Sequence, residues 1–306
     1  MSAPSRGENS DAGVTSPLAR TEYAHAKINL VLRILAREAS GYHSIETLFQ
    51  RLELHDVVTV RCAVNTRTLT CAGPSMPVGG LGPVEQNLAW RAAHLYAHEA
   101  GWDTGWDITI HKQIPVGGGL GGGSADAAAV LRAMNAMSPR PLGGERLLEL
   151  GGMLGADVPF FVSGASRAWA WGRGDRLLIL PALPVVGVLL FPFADGVHTG
   201  AAYAAFDAMR MSKAEVVSAR TYDAAALSSW EQIATIAEND FERVVPAMHA
   251  GVAALLPTVK AAARAMREPP TTRIGMLSGS GATCFVLFTD GGLGLPGTEP
   301  VLTYTR

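Results

Sequence analysis

Cysteine is scarce in this 306-residue chain: Cys62, Cys71 and Cys284 are the only three, and no CxxC spacing occurs. Three cysteines cannot all pair within one chain, so the expectation is thiols acting as small hydrophobes in a reducing cytoplasm. Charge is thin as well. Charged residues make up 17% of the chain and the formal net charge is −2, which leaves no basic field to hold a nucleic-acid backbone. The longest apolar stretch, residues 181–191, contains Pro181 and Pro184 and is too short to span a bilayer. Neither nucleic acid nor membrane is therefore expected as a partner, and the protein reads as cytoplasmic. Residues 1–20 are polar and lack the apolar stretch of a signal peptide, so they read as a disordered extension.

What the chain does have is apolar content and glycine. Hydrophobic residues reach 48%, which excludes a disordered or coiled-coil protein, and 306 residues suffice for one large or two modest domains. Residues 23–35 alternate as a half-buried strand, residues 41–43 break it, and residues 47–54 return. Residues 57–63 and 66–72 flank Asn65 as a hairpin would, which would let Cys62 face Cys71. Leu88, Ala92, Leu95 and Tyr96 recur at helical spacing, and Gly101 stops that helix. Trp106, Ile108 and Ile110 alternate as an antiparallel-type strand.

Helices are expected over 124–137 and 145–154, and strands over 160–162, 166–171 and 177–180. Beyond residues 181–184, the best domain boundary, a buried strand covers 185–191 and helices cover 198–210, about 230–238 and 246–267. Strands at 274–277 and 284–289 follow. Strands mix with helices without regular βαβ alternation, so the fold class is α+β.

The glycines cluster in Pro115-Val116-Gly117-Gly118-Gly119-Leu120-Gly121-Gly122-Gly123-Ser124. Without Cβ atoms this backbone can take positive φ, and its N–H groups stay uncovered and can converge on an anion. The helix beginning near Ser124 adds its positive end, and the Ser124 hydroxyl is placed to meet a phosphate oxygen or its magnesium. No Gly-Lys-Ser/Thr ending is present, and the preceding strand alternates, so neither a Walker loop nor a Rossmann turn fits. His94 and His98 lie four apart on a helix, but no third ligand suggests itself, and they read as a solvated face.

The segment from Pro115 to Asp126 resembles the phosphate loop of the GHMP kinases, which include galactokinase, homoserine kinase and mevalonate kinase. Ala26-Lys27-Ile28-Asn29-Leu30, Gly41-Tyr42-His43 followed by Thr47-Leu-Phe-Gln50, Gly155-Ala-Asp157-Val-Pro159 and Leu277-Ser-Gly-Ser-Gly-Ala282 resemble one branch of that family. This branch phosphorylates an erythritol unit carried on a cytidine diphosphate, in non-mevalonate isoprenoid synthesis.

The resemblance implies a two-domain fold, residues 21–180 binding ATP and residues 181–306 on the substrate side, with the active site in the cleft between them. It implies ATP and Mg²⁺ as cofactors. Asp157 would accept the hydroxyl proton with Lys27 beside it, and a carboxylate next to an ammonium stays ionised. Tyr42 and His43 would read the cytidine, by stacking and at the cytosine edge. Asn29 would contact substrate. Residues 115–124 with Ala125, Lys112 and Asn87 would lie along the nucleotide, although Asn87 could equally be only the N-cap of its helix. Residues 279–281 would form a second tight turn beside the site.

Two rival readings remain at this stage: a homoserine- or mevalonate-type kinase, against which Tyr42, His43 and Gln50 argue, and a nucleotide-binding regulator without catalysis, against which Lys27 with Asp157 argues. Two departures from the family pattern stand out. His25 occupies a position where the family usually has proline. After Thr289 the chain turns to Gly, Leu and Pro, so the last layer of the second domain is expected to be thin.

Overall fold

The computed structural model describes residues 18–213, 220–264, 273–289 and 300–306. In chain order the elements are β1 Leu18–Arg37, β2 His43–Val64, β3 Arg67–Ala72, α1 Leu88–Glu99, β4 Gly105–His111, α2 Gly122–Met137, α3 Gly144–Leu154, α4 Val158–Ser163, β5 Arg167–Gly172 and β6 Arg176–Leu180. Then come β7 Gly187–Phe191, α5 Thr199–Lys213, α6 Trp230–Ile236, β8 Glu238–Asn239, α7 Val245–Met248, α8 Ala250–Arg264, β9 Arg273–Leu277, β10 Cys284–Phe288 and β11 Val301–Tyr304. Helix and strand intermix as α+β.

The first sheet runs β3-β4-β2-β1-β8, and β5 joins the early half of β2 with β6 outside it. The second sheet runs β11-β7-β10-β9. Alternation assigns each face its partner. Val58, Val60, Cys62, Trp106, Ile108 and Ile110 point into the cluster beneath α1 to α4. Ile28, Leu30 and Leu48 join Val188, Leu190, Ile274, Met276, Phe285 and Leu287 in a cluster that links the two sheets. Leu189, Phe191, Cys284 and Val286 point the other way, against α5, α7 and α8. Both faces of β1 are therefore covered, and its central residues from Ala24 to Ile34 are buried throughout. Eight of the residues in α2 are alanine or glycine at a helix pressed on a sheet, where small side chains permit close approach.

Four expectations need correction. Residues 47–54 and 57–63 belong to one long strand, β2, which exchanges β5 for β4 as its partner midway. Residues 57–63 and 66–72 do not form a hairpin, because β4 lies between β2 and β3 and pairs in parallel with β3. The pairs Val58–Ile110, Val60–Ile108 and Cys62–Trp106 bury more apolar surface than β3 offers, whose Thr68 and Thr70 face outward; the crossover through α1 carries β4 into that place. Cys62 and Cys71 are thus separated by a strand, and all three cysteines are free thiols.

Residues 160–162 are helical, within α4. Pro159 in its first turn suits a helix start, and Gly164 closes it at φ 70°. Lastly, residues 18–20 are strand, since Leu18 pairs with Cys62; the rest of the expected extension, residues 1–17, lies outside the described residues. Residues 290–299, where the thin final layer was expected, also lie outside them, while Val301–Tyr304 pairs antiparallel with β7. Among the described residues no helix is long and apolar enough to cross a membrane.

Candidate active site

The register of β1 against β2 shifts between His25 and Lys27, and the Lys27 amide donates instead to the carbonyl of Leu120 at 3.0 Å. This places the Lys27 side chain, 5% exposed, beneath the glycine loop. Its Nζ donates to Asn29 Oδ1 at 2.7 Å. Asn29 Nδ2 donates in turn to Thr47 Oγ1, and the Thr47 hydroxyl donates to the Val31 carbonyl, each at 2.7 Å. A chain of hydrogen bonds ending on backbone leaves the lysine little rotational freedom. Its Nζ stands 3.4 Å from Asp157 Oδ2. Asp157 holds the N-cap position of α4 without capping it through its side chain, so the carboxylate, 30% exposed, stays turned toward the cavity.

Gly117, Gly119 and Gly121 take φ of 77°, 73° and 75°, a region that side chains with a Cβ disfavour. A Cβ on Gly119 would lie 2.1 Å from the Ser278 carbonyl oxygen, and one on Gly118 would lie 2.4 Å from Thr283 Oγ1. The Ser278 hydroxyl donates to the Gly119 carbonyl at 3.0 Å, so the second turn does pack against the loop. The buried Asn239 fastens that turn by donating to the carbonyls of Leu277 and Gly279, both at 2.8 Å. The loop opens on a cavity of about 340 Å³ lined by Pro115 to Ser124, Asn87, Leu88, Lys112 and Asp126. Helix α2 starts at Gly122 at its rim, which directs free N–H groups and the positive helix end at the space.

A larger cavity of about 780 Å³ adjoins it and shares Gly119, Gly121, Thr199 and Ser280 with the first. Lys27, Asn29, Tyr42, His43 and Asp157 all line it. Tyr42 is exposed, with the Arg173 guanidinium 4.3 Å from its ring centre; Arg173 is tied to Glu38 at 2.7 Å, across to the next hairpin turn. His43 stacks on Tyr203 with ring centres 4.3 Å apart, and its Nε2 meets Asp207 Oδ1 at 2.9 Å. Burial, and secondarily the Asp157 charge, push the Tyr203 hydroxyl up to about 12, so it remains a donor across the physiological range.

Lys27, Asp157, Asn29, Tyr42 and His43 thus converge. Not every expected residue offers a side chain to the cavities. Ala125 is buried in the core and lines neither cavity, and its amide is spent on the Gly121 carbonyl; Leu120 is buried too, at the edge of the smaller cavity. Asn87 caps α1, accepting from the Ala89 amide at 2.9 Å, and lines the smaller cavity as well. Lys112 lines it too, but its ammonium is engaged by Asp56 and Asp126. His94 packs edge-on to Trp90 and Trp106, and among the described residues no group of three or more His, Cys, Asp or Glu could hold a metal. His25 simply continues β1 and bonds the Leu52 carbonyl through Nδ1 at 2.9 Å. Sequence reasoning missed Thr199, Tyr203 and Asp207. Their spacing of four along α5 puts them on one face, a polar stripe that stands out in an alanine-rich helix.

Residues 87–165 match the family model described as the GHMP kinases N terminal domain. A 4-diphosphocytidyl-2-C-methyl-D-erythritol kinase from Geobacter sp. (strain M21) is 36% identical over 270 residues, which cover 87% of this chain and 89% of that protein. The protein of the same name from Gloeobacter violaceus is 38% identical over 272 residues, covering 87% and 85%. A crystal structure of 4-(cytidine 5'-diphospho)-2C-methyl-D-erythritol kinase superposes with a TM-score of 0.67 at 30% identity, over 94% of this chain and 99% of that one.

Proposed function

Because the chain belongs to the 4-diphosphocytidyl-2-C-methyl-D-erythritol kinase family, we propose that it transfers the γ-phosphoryl group of ATP to a hydroxyl of 4-diphosphocytidyl-2-C-methyl-D-erythritol, giving the 2-phosphate and ADP. The observation that carries this reading is the Lys27–Asp157 pair, which lines the larger cavity where that cavity meets the glycine loop. Phosphoryl transfer asks chiefly for alignment and charge stabilisation, with little covalent help from the protein. The glycine loop and the start of α2 supply N–H donors for phosphate oxygens. Asp157 accepts the proton of the attacking hydroxyl, while Lys27, held by Asn29 and 3.4 Å from the carboxylate, keeps it aimed.

Tyr42, His43 and Tyr203 offer aromatic faces to a cytosine ring, and His43 is braced by Asp207. Lys112 and Asn87 line the smaller cavity, where they would approach the nucleotide. Magnesium fits as an ion carried on the nucleotide with the Ser124 hydroxyl as a protein oxygen ligand, since Mg²⁺ keeps several waters and binds through substrate phosphates. When bound it neutralises charge on the phosphate oxygens. A division into residues 21–180 and 181–306, with the site between them, is supported by β7 being the first strand of the second sheet, while β8 crosses back to pair with β1. A cytoplasmic location suits a reaction between small water-soluble substrates.

Purified protein should form ADP from ATP with the cytidine-diphosphate methylerythritol substrate and not with homoserine or mevalonate. ADP formation with either of the latter at a comparable kcat/KM would replace the assignment with another kinase of the same fold. Binding of ATP without any turnover would support a regulator instead.

A further inference from the structure

The glycine loop has two feet, the end of β4 and the start of α2, and a buried ionic bridge joins them. Lys112 follows β4 directly and its side chain is 3% exposed. Its Nζ donates to Asp56 on β2, whose side chain is fully buried, and to Asp126 Oδ2 on α2 at 2.7 Å. Asp56 does more, since its Oδ1 accepts from the amides of Gln113 at 2.5 Å and Ile114 at 2.8 Å. One carboxylate thereby fixes three consecutive residues at the first foot. Asp126 lies four residues after Gly122 and so beneath it on the same helix face, and a Cβ on Gly122 would come 3.4 Å from Lys112 Nζ.

Between the feet, six of the seven residues from Gly117 to Gly123 are glycine. Such a segment has few side chains of its own to hold it and many conformations to lose on binding a ligand. Preorganisation has to come from outside the loop. Two carboxylates also exceed the charge of one ammonium, so Lys112 has little field left over for an incoming phosphate; burial pushes Asp126 up to about 7, in keeping with that excess.

We propose that Asp56, Lys112 and Asp126 form a clip that sets the spacing of the two feet of the glycine loop, with Lys112 a positioning residue rather than a phosphate ligand. The proposal rests on the kinase reading only in that the loop receives a nucleotide's phosphates.

Asp56→Asn separates the two roles. Its Oδ1 can still accept from the two amides, but the amide side chain no longer neutralises Lys112. If Lys112 served phosphate directly, freeing it would leave ATP affinity unchanged or tighter. The clip requires affinity to fall about tenfold or more, because the loop's ordering is then charged to binding. The affinity is read by calorimetric titration of a non-hydrolysable ATP analogue onto the full chain, without acceptor. Amide hydrogen exchange should quicken at residues 117–121 while β1 and β2 keep their protection. Lys112→Arg, which can still bridge both carboxylates, should hold affinity within a few-fold, and Lys112→Met should not. Should Asp56→Asn fail to fold, Asp126→Asn cuts the bridge at its other end. Unchanged or tighter affinity overturns the clip, as does exchange that quickens equally in loop and strands. If the unsubstituted protein does not bind the analogue, the kinase reading itself falls with it.

Discussion

Lys27 Nζ lies 3.4 Å from Asp157 Oδ2, and the two side chains arrive there on very different terms. Lysine comes from the buried middle of β1, locked by Asn29, whereas aspartate stands at the start of a six-residue helix with its carboxylate open to the cavity. That asymmetry suits a base that must meet an incoming hydroxyl beside a fixed cation. Asp157→Asn should lower kcat by about 10²–10⁴, the usual span for a general base, while the KM for ATP stays within a few-fold. Steady-state ADP formation measures this. A kcat within fivefold of the unsubstituted enzyme would remove Asp157 from the chemistry.

The acceptor side has its own signature. Tyr203 backs His43 face to face, meets Phe241 edge-on and lines the larger cavity, so truncating it removes both a cavity wall and the support of a neighbouring ring. Aromatic pairs contribute about 0.5–1.5 kcal/mol beyond their area, to which lost contact area adds. Tyr203→Ala should therefore raise the KM for the cytidine-bearing substrate about tenfold or more and leave the KM for ATP where it was. Parallel rises in both constants would indicate a collapsed cleft and sink the assignment of Tyr203 to the acceptor.

Much of this could be read before the fold was known, and the parts that could not have physical reasons. Period-two patterns such as Trp106, Ile108 and Ile110 identify a strand because one face must be buried, and Asn87 marks a helix start because it can cap one. Strand order is another matter. Nothing local in residues 57–72 says that β4, coming after a whole helix, will insert itself between β2 and β3. A run of three apolar residues such as Phe160-Phe161-Val162 fits helix and strand equally, and only Pro159 at the start and Gly164 at the close mark it as a helix. The glycine loop announces phosphate by composition alone, but the meeting of Lys27 with Asp157 was legible only through family resemblance. The Lys112 clip was not legible at all: its carboxylates come from separate elements, and an isolated lysine beside a phosphate loop reads naturally as a phosphate ligand.

Within the loop, the clearest steric test is at position 119. Gly119 has φ 73°, and a methyl group there would sit 2.1 Å from a backbone oxygen, which cannot turn aside as a side chain can. Gly119→Ala should cost at least about 1–2 kcal/mol of stability from the left-handed backbone alone and should abolish binding of an ATP analogue. Gly152→Ala makes the contrast. It lies on the exposed side of α3 with Pro159 Cγ 4.0 Å away, so it should stabilise by about 0.5–1 kcal/mol. Urea denaturation reads both, and equal signs for the two would refute the steric account.

His25 gives the protein a pH dependence that does not pass through the reaction. His25 is 8% exposed and its ring donates from Nδ1 to the Leu52 carbonyl; burial first, then the charges of Arg306 and Arg51, lower its pKa to about 4. Between pH 6.5 and 4 the unfolded chain takes up this proton and the folded chain does not, so His25 makes stability fall as pH falls through that window. Asp126 acts in the opposite sense. Its carboxyl is pushed up to about 7, so the folded state keeps a proton that the unfolded state has lost, and its contribution falls as pH rises from about 4 to 7. The two partly mask each other in the whole protein, which is why the test is a difference. His25→Gln keeps a donor for Leu52 and removes the titration, so between pH 7 and pH 4.5 it should lose less stability than the unsubstituted chain. Denaturation curves at the two pH values measure the gap; equal losses in both proteins would mean that His25 protonates as freely folded as unfolded, and that its burial carries no cost.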